Sequence, residues 1–351
     1  MDRTRIGFGG FVGFWLVCQT FLLPGCPSDS QIEELPLDAS TSESGPDAPN
    51  QNDVGPVGTP DTFDFITWNL QEFPKSGQQT IDKLTEVLSA LQPDVVAVQE
   101  ITDGEALMDL AASIPGWQAD VVEFFVPGGI YNPPVGMLWN SQTVQIRNRA
   151  VILEGDSLAF PRPPLKLEIT WNGFDFVIIN VHLKASGDNV IQCNDPWDEE
   201  MRRIAACERL HEYITENHPD DKVIVAGDFN DKIEEPITTN VFMAFLSRPD
   251  QYMFADMRIA KGMESVRSYP TWNSHIDHIL ISNELFASYY NKNSLTRTIA
   301  VDKYFFSSWA IYNAYISDHR PVLMHLEVVD GEYDGKREVQ FEPGDGEPPC
   351  Q

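Results

Sequence analysis

From residue 61 onward, short apolar runs recur along the chain and close on polar residues. Phe63-Asp64-Phe65-Ile66-Thr67-Trp68 reads as a strand leading to Asn69. Ile81, Leu84, Leu88 and Leu91 recur at helical spacing, and Pro93 ends that helix. Val95-Val96-Ala97-Val98 reads as a buried strand ending at Gln99-Glu100, and Val135–Trp139 as another, followed by polar Asn140-Ser141-Gln142. A longer strand from Phe174 to Val181 delivers His182. A helix from about Asp198 to His218 places Ile204, Cys207, His211 and Ile214 on one face. Strands at Val223–Ala226, Ile276–Ile281 and Val322–Leu326 complete the series. No repeat shows at a solenoid period. Strands interspersed with helices, each ending in polar residues, predict an α/β sandwich with its site at one sheet edge.

The two ends of the chain differ from this middle. Arg3 and Arg5 precede the mostly apolar stretch Ile6 to Leu23, the pattern of an export signal over residues 1–26. It closes on Leu23-Pro24-Gly25-Cys26, which resembles the lipobox of bacterial lipoproteins, with Cys26 as the lipid site. Plain cleavage and an uncleaved anchor helix remain the alternatives. Residues 27–60 hold seven acids and no base among Ser, Pro, Gly and Asn, so a disordered tether is expected. Residues 329–351 form an acidic tail without apolar period, also expected to be disordered. The expected globular domain is therefore 61–328, a monomer exported to the cell envelope as a lipoprotein or secreted.

Charge narrows the partners. The chain carries a net charge of −29, and residues 61–326 alone still carry −17. Such a surface excludes a broad basic face for sliding along nucleic acid. An acidic site neutralised by bound metal accounts for part of the excess. Five cysteines contain no Cys-x-x-Cys pair, which argues against structural zinc. Cys193 and Cys207 close a short loop into the helix; a disulfide between them and two separate thiols both stay open.

The candidate chemistry lies in seven clusters. Asn69 and Glu100 end buried strands, where Glu100 as an uncompensated carboxylate suits a metal ligand. Arg162-Pro163-Pro164 sets a guanidinium before another strand, with phosphate contact or a surface loop as its readings. Asn180, His182 and Lys184 share one face of their strand, with Val181 and Leu183 turned to the core. Asp228 and Asn230, in Gly227-Asp228-Phe229-Asn230, form an acceptor pair suited to a cation and a water nucleophile. Asp277 at a strand start is expected to pair with His319 of Ser317-Asp318-His319-Arg320-Pro321, fixing the tautomer a general base requires. His278 alternates away from Asp277 and reads as structural.

These clusters, in this order, resemble the endonuclease/exonuclease/phosphatase superfamily in its DNase I-like branch. The likeness spans about residues 63–328. The resemblance implies a four-layer α/β/β/α sandwich and phosphoester hydrolysis with Mg²⁺, or with Mn²⁺ or Ca²⁺ in its place. It implies metal ligation by Glu100, Asn69 and Asp318, and catalysis by His182, Asp228, Asn230, Asp277 and His319. A carboxylate partner for His182 is not evident, and Glu154 is the one guess. His182-Leu183-Lys184-Ala185 resembles a stretch of secreted bacterial nucleases. Tyr269 to Trp272 places aromatics where a base or sugar would stack, although core packing explains Tyr269 equally well. The expected function is an extracellular endonuclease cleaving DNA or RNA, with Arg162, Asn180, Lys184 and Trp272 on the substrate. A phospholipid or sugar-phosphate phosphodiesterase is the alternative, with Tyr304-Phe305-Phe306 and Trp309 as a membrane hairpin. A silent binding module is a third, disfavoured because the metal and base positions hold competent residues.

Overall fold

The computed structural model describes residues 57–123, 132–306, 308–337, 339–340 and 350. The expected export signal, the lipid site Cys26 and the tether up to residue 56 lie outside the described residues.

Period-2 alternation builds two sheets with a shared interior. Strands β1 (Phe63–Phe73), β2 (Val95–Ile101), β3 (Trp117–Val121), β4 (Gly136–Asn140), β11 (Leu295–Thr298) and β12 (Val322–Leu326) form one, in the order β11-β12-β1-β2-β4-β3. The second is β5-β6-β7-β8-β10-β9, from Val144–Val151, Leu165–Trp171, Phe174–His182, Val223–Asp228, Asp277–Ser282 and Tyr252–Phe254 respectively. Phe63, Phe65, Val95 and Ala97 of the first sheet meet Phe176, Ile178, Ile224 and Ala226 of the second in one buried cluster. Their neighbours one residue along point outward. Ile66, Trp68, Val96 and Val98 pack under α1 (Gln78–Leu91) and α2 (Gly104–Ala112). Val177, Ile179, Val223 and Val225 pack under α3 (Glu199–Asn217). The result is the expected four-layer α/β/β/α sandwich.

The helix α1 buries Ile81, Leu84, Leu88 and Leu91 as the spacing predicts, and ends with Gln92 in the left-handed region one residue before Pro93. In α3 the expected face is displaced. Ile204 and His211 are half-buried, while Arg203, Cys207, Leu210 and Ile214 face the sheet, because the buried stripe follows the larger apolar pair at 207 and 210.

The expectations about the cysteines are corrected. Cys193 bonds Cys350, with 5.2 Å between Cα atoms, and Cys207 is a free, buried thiol on α3. A helix directs Cys207 into the core, whereas Cys193 lies in the open loop before it. Some described residues of the tail make contacts with the domain. Tyr333 stacks on Tyr290 at 4.3 Å, and the Gln340 side chain exchanges two hydrogen bonds with the backbone of Phe254, on the edge strand β9. An exposed sheet edge offers such partners irrespective of the tail's own apolar content.

Asn180 also departs from expectation. It shares the face of His182 but lies deep in the inter-sheet space, so it is a clamp rather than a substrate contact. Its oxygen accepts from Gln99 Nε2 at 2.8 Å, and its nitrogen donates to the Val98 and Gly136 carbonyls at 2.9 and 2.7 Å. Three bonds across fully buried ground tie β7 to β2 and β4 just beneath the sheet edge. Asn180→Ala should therefore lower unfolding free energy by about 3 kcal/mol, since it leaves buried polar groups unpaired. Urea denaturation measures this, and a loss below about 1 kcal/mol would contradict the clamp.

Candidate active site

The inter-sheet faces of β1, β2, β7 and β8 end together, and β10 begins there antiparallel to β8. Asn69, His182, Asp228 and Asp277 sit on these faces at the same rim, while Asp318 and His319 arrive from the loop before β12. Local backbone makes the approach possible. Gly227 has φ of +148°, and an added Cβ would lie 1.9 Å from the Val181 carbonyl oxygen, so no side chain fits where β8 hugs β7. Glu100 and Asn230 hold φ of 62° and 56°, positions that cost about 1 kcal/mol and persist because neighbours fix them.

Asp228 is the hub. Asn69 Nδ2 donates to its Oδ2 at 2.8 Å and the Asn230 amide to its Oδ1 at 2.9 Å. His182 Nε2 lies 3.6 Å and His319 Nε2 4.0 Å from that Oδ2. The expected Asp277–His319 pair exists, with His319 Nδ1 donating to Asp277 Oδ2 at 2.8 Å. Burial and the adjacent Asp277 push the Asp228 carboxyl up to about 7. Burial alone would lower the His319 imidazole. The carboxylates of Asp277, Asp228 and Asp318 outweigh it and hold that imidazole at about 10, an imidazolium near neutral pH. Burial, then the charges of Arg162 and His319, keep His182 well below the usual imidazole range, so it is neutral. Its Nε2 faces a carboxylate and carries the proton; Nδ1 has no hydrogen-bond partner among the described residues. The guessed partner Glu154 is exposed and near Arg149 instead.

The donor set fits a hard divalent cation. Asp228 and Asp277 offer carboxylate oxygens within 4.8 Å of one another, and Asp277 Oδ1 is buried with no hydrogen-bond partner among the described residues. Glu100, half-buried, adds a carboxylate that Asn69 Nδ2 reaches at 3.2 Å. Such a concentration of buried acids, one of them raised toward neutrality, calls for added positive charge. Glu100 and Asp318 stand near the rim, where the charges of both act on Lys75. Asn69 is not the expected metal ligand: its oxygen accepts from the Gln71 amide at 2.9 Å and its nitrogen faces the two carboxylates, so it bridges them as a donor. Two substrate expectations also change. Arg162 is buried and donates to the Leu183 carbonyl, with its charge felt by His182. Lys184 donates to the Ala185 carbonyl and lies 3.4 Å from Glu199. Trp272 is 72% exposed. It lines a cavity of about 590 Å³ with Tyr269, Asn230 and Lys232.

Three further residues support these groups; Gln71 and Ser317 were given no role by the sequence pattern, and Tyr269 was weighed there only as a stacking or core residue. Tyr269 stacks on the His319 ring at 4.4 Å. Gln71 Oε1 accepts from the Asp318 amide and from Lys75, which also donates to Asn313. Ser317 Oγ donates to the Asn69 carbonyl at 2.6 Å and accepts from the His319 amide at 2.9 Å, joining the two loops. Tyr269 and Ser317 lie in stretches the sequence singles out, whereas Gln71 lies on a strand irregularity that no residue pattern announces.

A family profile described as the Endonuclease/Exonuclease/phosphatase family matches residues 66–319. Solved structures share the fold at low identity. TDP2 of D. rerio complexed with single strand DNA product is 15% identical, with 76% of this chain and 98% of that chain covered and a TM-score of 0.53. The human Nocturnin catalytic domain with bound sulfate anion is 17% identical, with 76% and 94% covered and a TM-score of 0.50. A mannosyl-6-phosphatase of Bacteroides thetaiotaomicron is 15% identical, with 75% and 99% covered and a TM-score of 0.52. No curated protein sequence matches the chain.

The raised Asp228 carboxyl has a sign that can be measured. Because its folded pKa of about 7 exceeds its unfolded value, folding favours the protonated form, and stability is lost as pH rises from about 4 through 7. Metal-free Asp228→Asn should thus melt about 2–4 °C above wild type at pH 8, with the difference vanishing near pH 4. Added Mg²⁺ should raise the wild-type Tm more at pH 8 than at pH 5; an increment independent of pH would contradict the charge assignment.

Proposed function

This chain belongs to the Endonuclease/Exonuclease/phosphatase family, and from that we propose that its phosphoester hydrolysis is metal-dependent and directed first at nucleic-acid phosphodiesters. The observation that carries the reading is the buried meeting of Asp228, Asp277 and His319 at one sheet edge. Their roles follow from charge. Asp228, with a carboxyl near neutrality, orients a water and takes its proton as the water oxygen bonds to phosphorus. The His319 imidazolium, fixed by Asp277 and the Tyr269 ring, donates to a non-bridging phosphate oxygen as negative charge builds there. His182 and Asn230 orient the same oxygens through N–H groups. The ester bond opposite the water breaks, and the alcohol leaves with a proton from solvent. A divalent cation held by Glu100 and Asp318, Mg²⁺ foremost, would supply neutralising charge for the phosphate.

Trp272 supports the nucleic-acid reading, since an exposed indole beside the cleft offers a stacking surface to a base. A sugar phosphate is the second reading. The cavity beside Asn230 contains Arg203, but that guanidinium is already paired with Asp231 and Glu200, at 2.8 and 3.2 Å. A wall with so little unpaired positive charge suits one phosphate and an uncharged polar group. The phospholipid version loses its membrane hairpin. Phe306 is buried, and Phe305 and Trp309 pack against the cluster under α1. Export, with a lipid anchor at Cys26 or release, remains a proposal resting on the first 26 residues, and a monomer on the single domain.

Turnover of single-stranded DNA, RNA, bis(p-nitrophenyl) phosphate and hexose phosphates, with Mg²⁺, Mn²⁺ or Ca²⁺, tests the reading. Asp228→Ala and His319→Ala should each lower kcat/KM by about 10³ or more while the circular dichroism spectrum stays native. Trp272→Ala should raise KM for DNA about tenfold with kcat nearly unchanged. Hexose phosphates outrunning DNA would favour the second reading, and near-wild-type rates in either charge variant would overturn the mechanism.

A further inference from the structure

On β10, Asp277 faces the inter-sheet space while His278 faces the opposite layer, where its ring lies 5.7, 5.7 and 5.8 Å from Phe229, Phe242 and Phe254. Both of its nitrogens meet oxygen acceptors: Nδ1 the Asp256 carboxylate at 2.6 Å and Nε2 the Asp231 carbonyl at 2.8 Å. A carbonyl can only accept, so Nε2 carries a proton. Asp256 is itself saturated with donors. Its Oδ2 also accepts from His275 Nε2 at 2.9 Å, and its Oδ1 accepts from the Ile279 amide at 2.8 Å. His275 Nδ1 accepts from the Ser268 amide at 3.2 Å, which leaves its proton on Nε2. Asp256 is therefore a carboxylate and His278 an imidazolium, both fully buried. Asp256, His275 and His278 are close enough together to hold a cation, but each of their ring nitrogens and carboxylate oxygens already has a protein partner.

A buried ion pair contributes less to stability than apolar packing of the same volume, so its use lies in what it fixes. What it fixes here is the back of the site. The Asp231 carbonyl ends the turn that carries Asp228 and left-handed Asn230. Ser268 begins the hairpin that carries Tyr269 onto His319, and the Ser268 carbonyl accepts from the Arg320 amide at 2.7 Å. We propose that His278 is a positioning residue for the hydrolytic site, holding the Asp228–Asp231 turn through the Asp231 carbonyl, with Asp256 and His275 extending the hold to the Tyr269 hairpin.

Two substitutions separate this from general stabilisation. His278→Gln keeps a donor at the Nε2 position toward Asp231, whereas His278→Asn keeps one at Nδ1 toward Asp256; both leave Asp256 without its cation. The Tm values should fall alike. In His278→Asn, amide exchange over residues 227–233 should quicken and kcat on bis(p-nitrophenyl) phosphate with Mg²⁺ should drop about tenfold at nearly constant KM. His278→Gln should stay within about threefold of wild type and keep the exchange protection. Equal exchange and equal kcat in the two variants would overturn the proposal. The kinetic arm rests on the phosphoester-hydrolase reading. If wild type hydrolyses no phosphoester, that reading fails, while the exchange comparison alone still decides the role of His278.

Discussion

Holding the Asp228 and Asp277 carboxylates out of water at the rim between two sheets is unfavourable unless donors and positive charge are provided on the spot. Both sheets provide them. The first contributes the Asn69 amide and, through the loop into β12, the His319 imidazolium; the second contributes the carboxylates themselves and neutral His182. Neither sheet alone makes a site. Burial and the neighbouring Asp277 raise the Asp228 carboxyl, the surrounding carboxylates raise the His319 imidazole against its burial, and a divalent cation is the natural complement of such a site.

Such a rim requires the sheets to meet at fixed separation. The Gln99–Asn180 clamp sets it from within, with fully buried amides bonded across the gap. Close backbone approach sets it along the sheet, where Gly227 admits no side chain against Val181. Behind the second sheet the Asp256–His278 pair and the Arg203–Asp231 pair grip the same turn from two directions, one by its carbonyl and one by its carboxylate. Polar groups in these positions specify one arrangement where apolar groups of equal volume would tolerate several. The far edge is closed differently, by the tail's Gln340 on β9.

The sandwich was legible because alternation and helical spacing are local properties, and the rim residues were legible because each closes an apolar run. The Asp277–His319 pair was legible from chemistry, as a carboxylate and an imidazole that need each other. The errors about substrate contacts have one common source. Asn180, Arg162 and Lys184 are polar residues in the right stretch of chain, and residue type does not say whether a neighbour has already engaged them. Asn180 meets Gln99 and two carbonyls, Arg162 the Leu183 carbonyl, Lys184 Glu199. Asn69 points its amide rather than its oxygen at the carboxylates for a similar reason, since the Gln71 amide claims the oxygen.

The sequence by itself determined the layers, the strand ends and the inventory of acids and imidazoles, since backbone period and residue chemistry are written one position at a time. Only the tertiary structure decided which of those groups share protons. It put the charge on His278 and left His182 neutral, and it joined Cys193 to Cys350 rather than to Cys207. Protonation and pairing depend on distances between segments far apart in the chain, and those distances exist only once the two sheets have closed on each other.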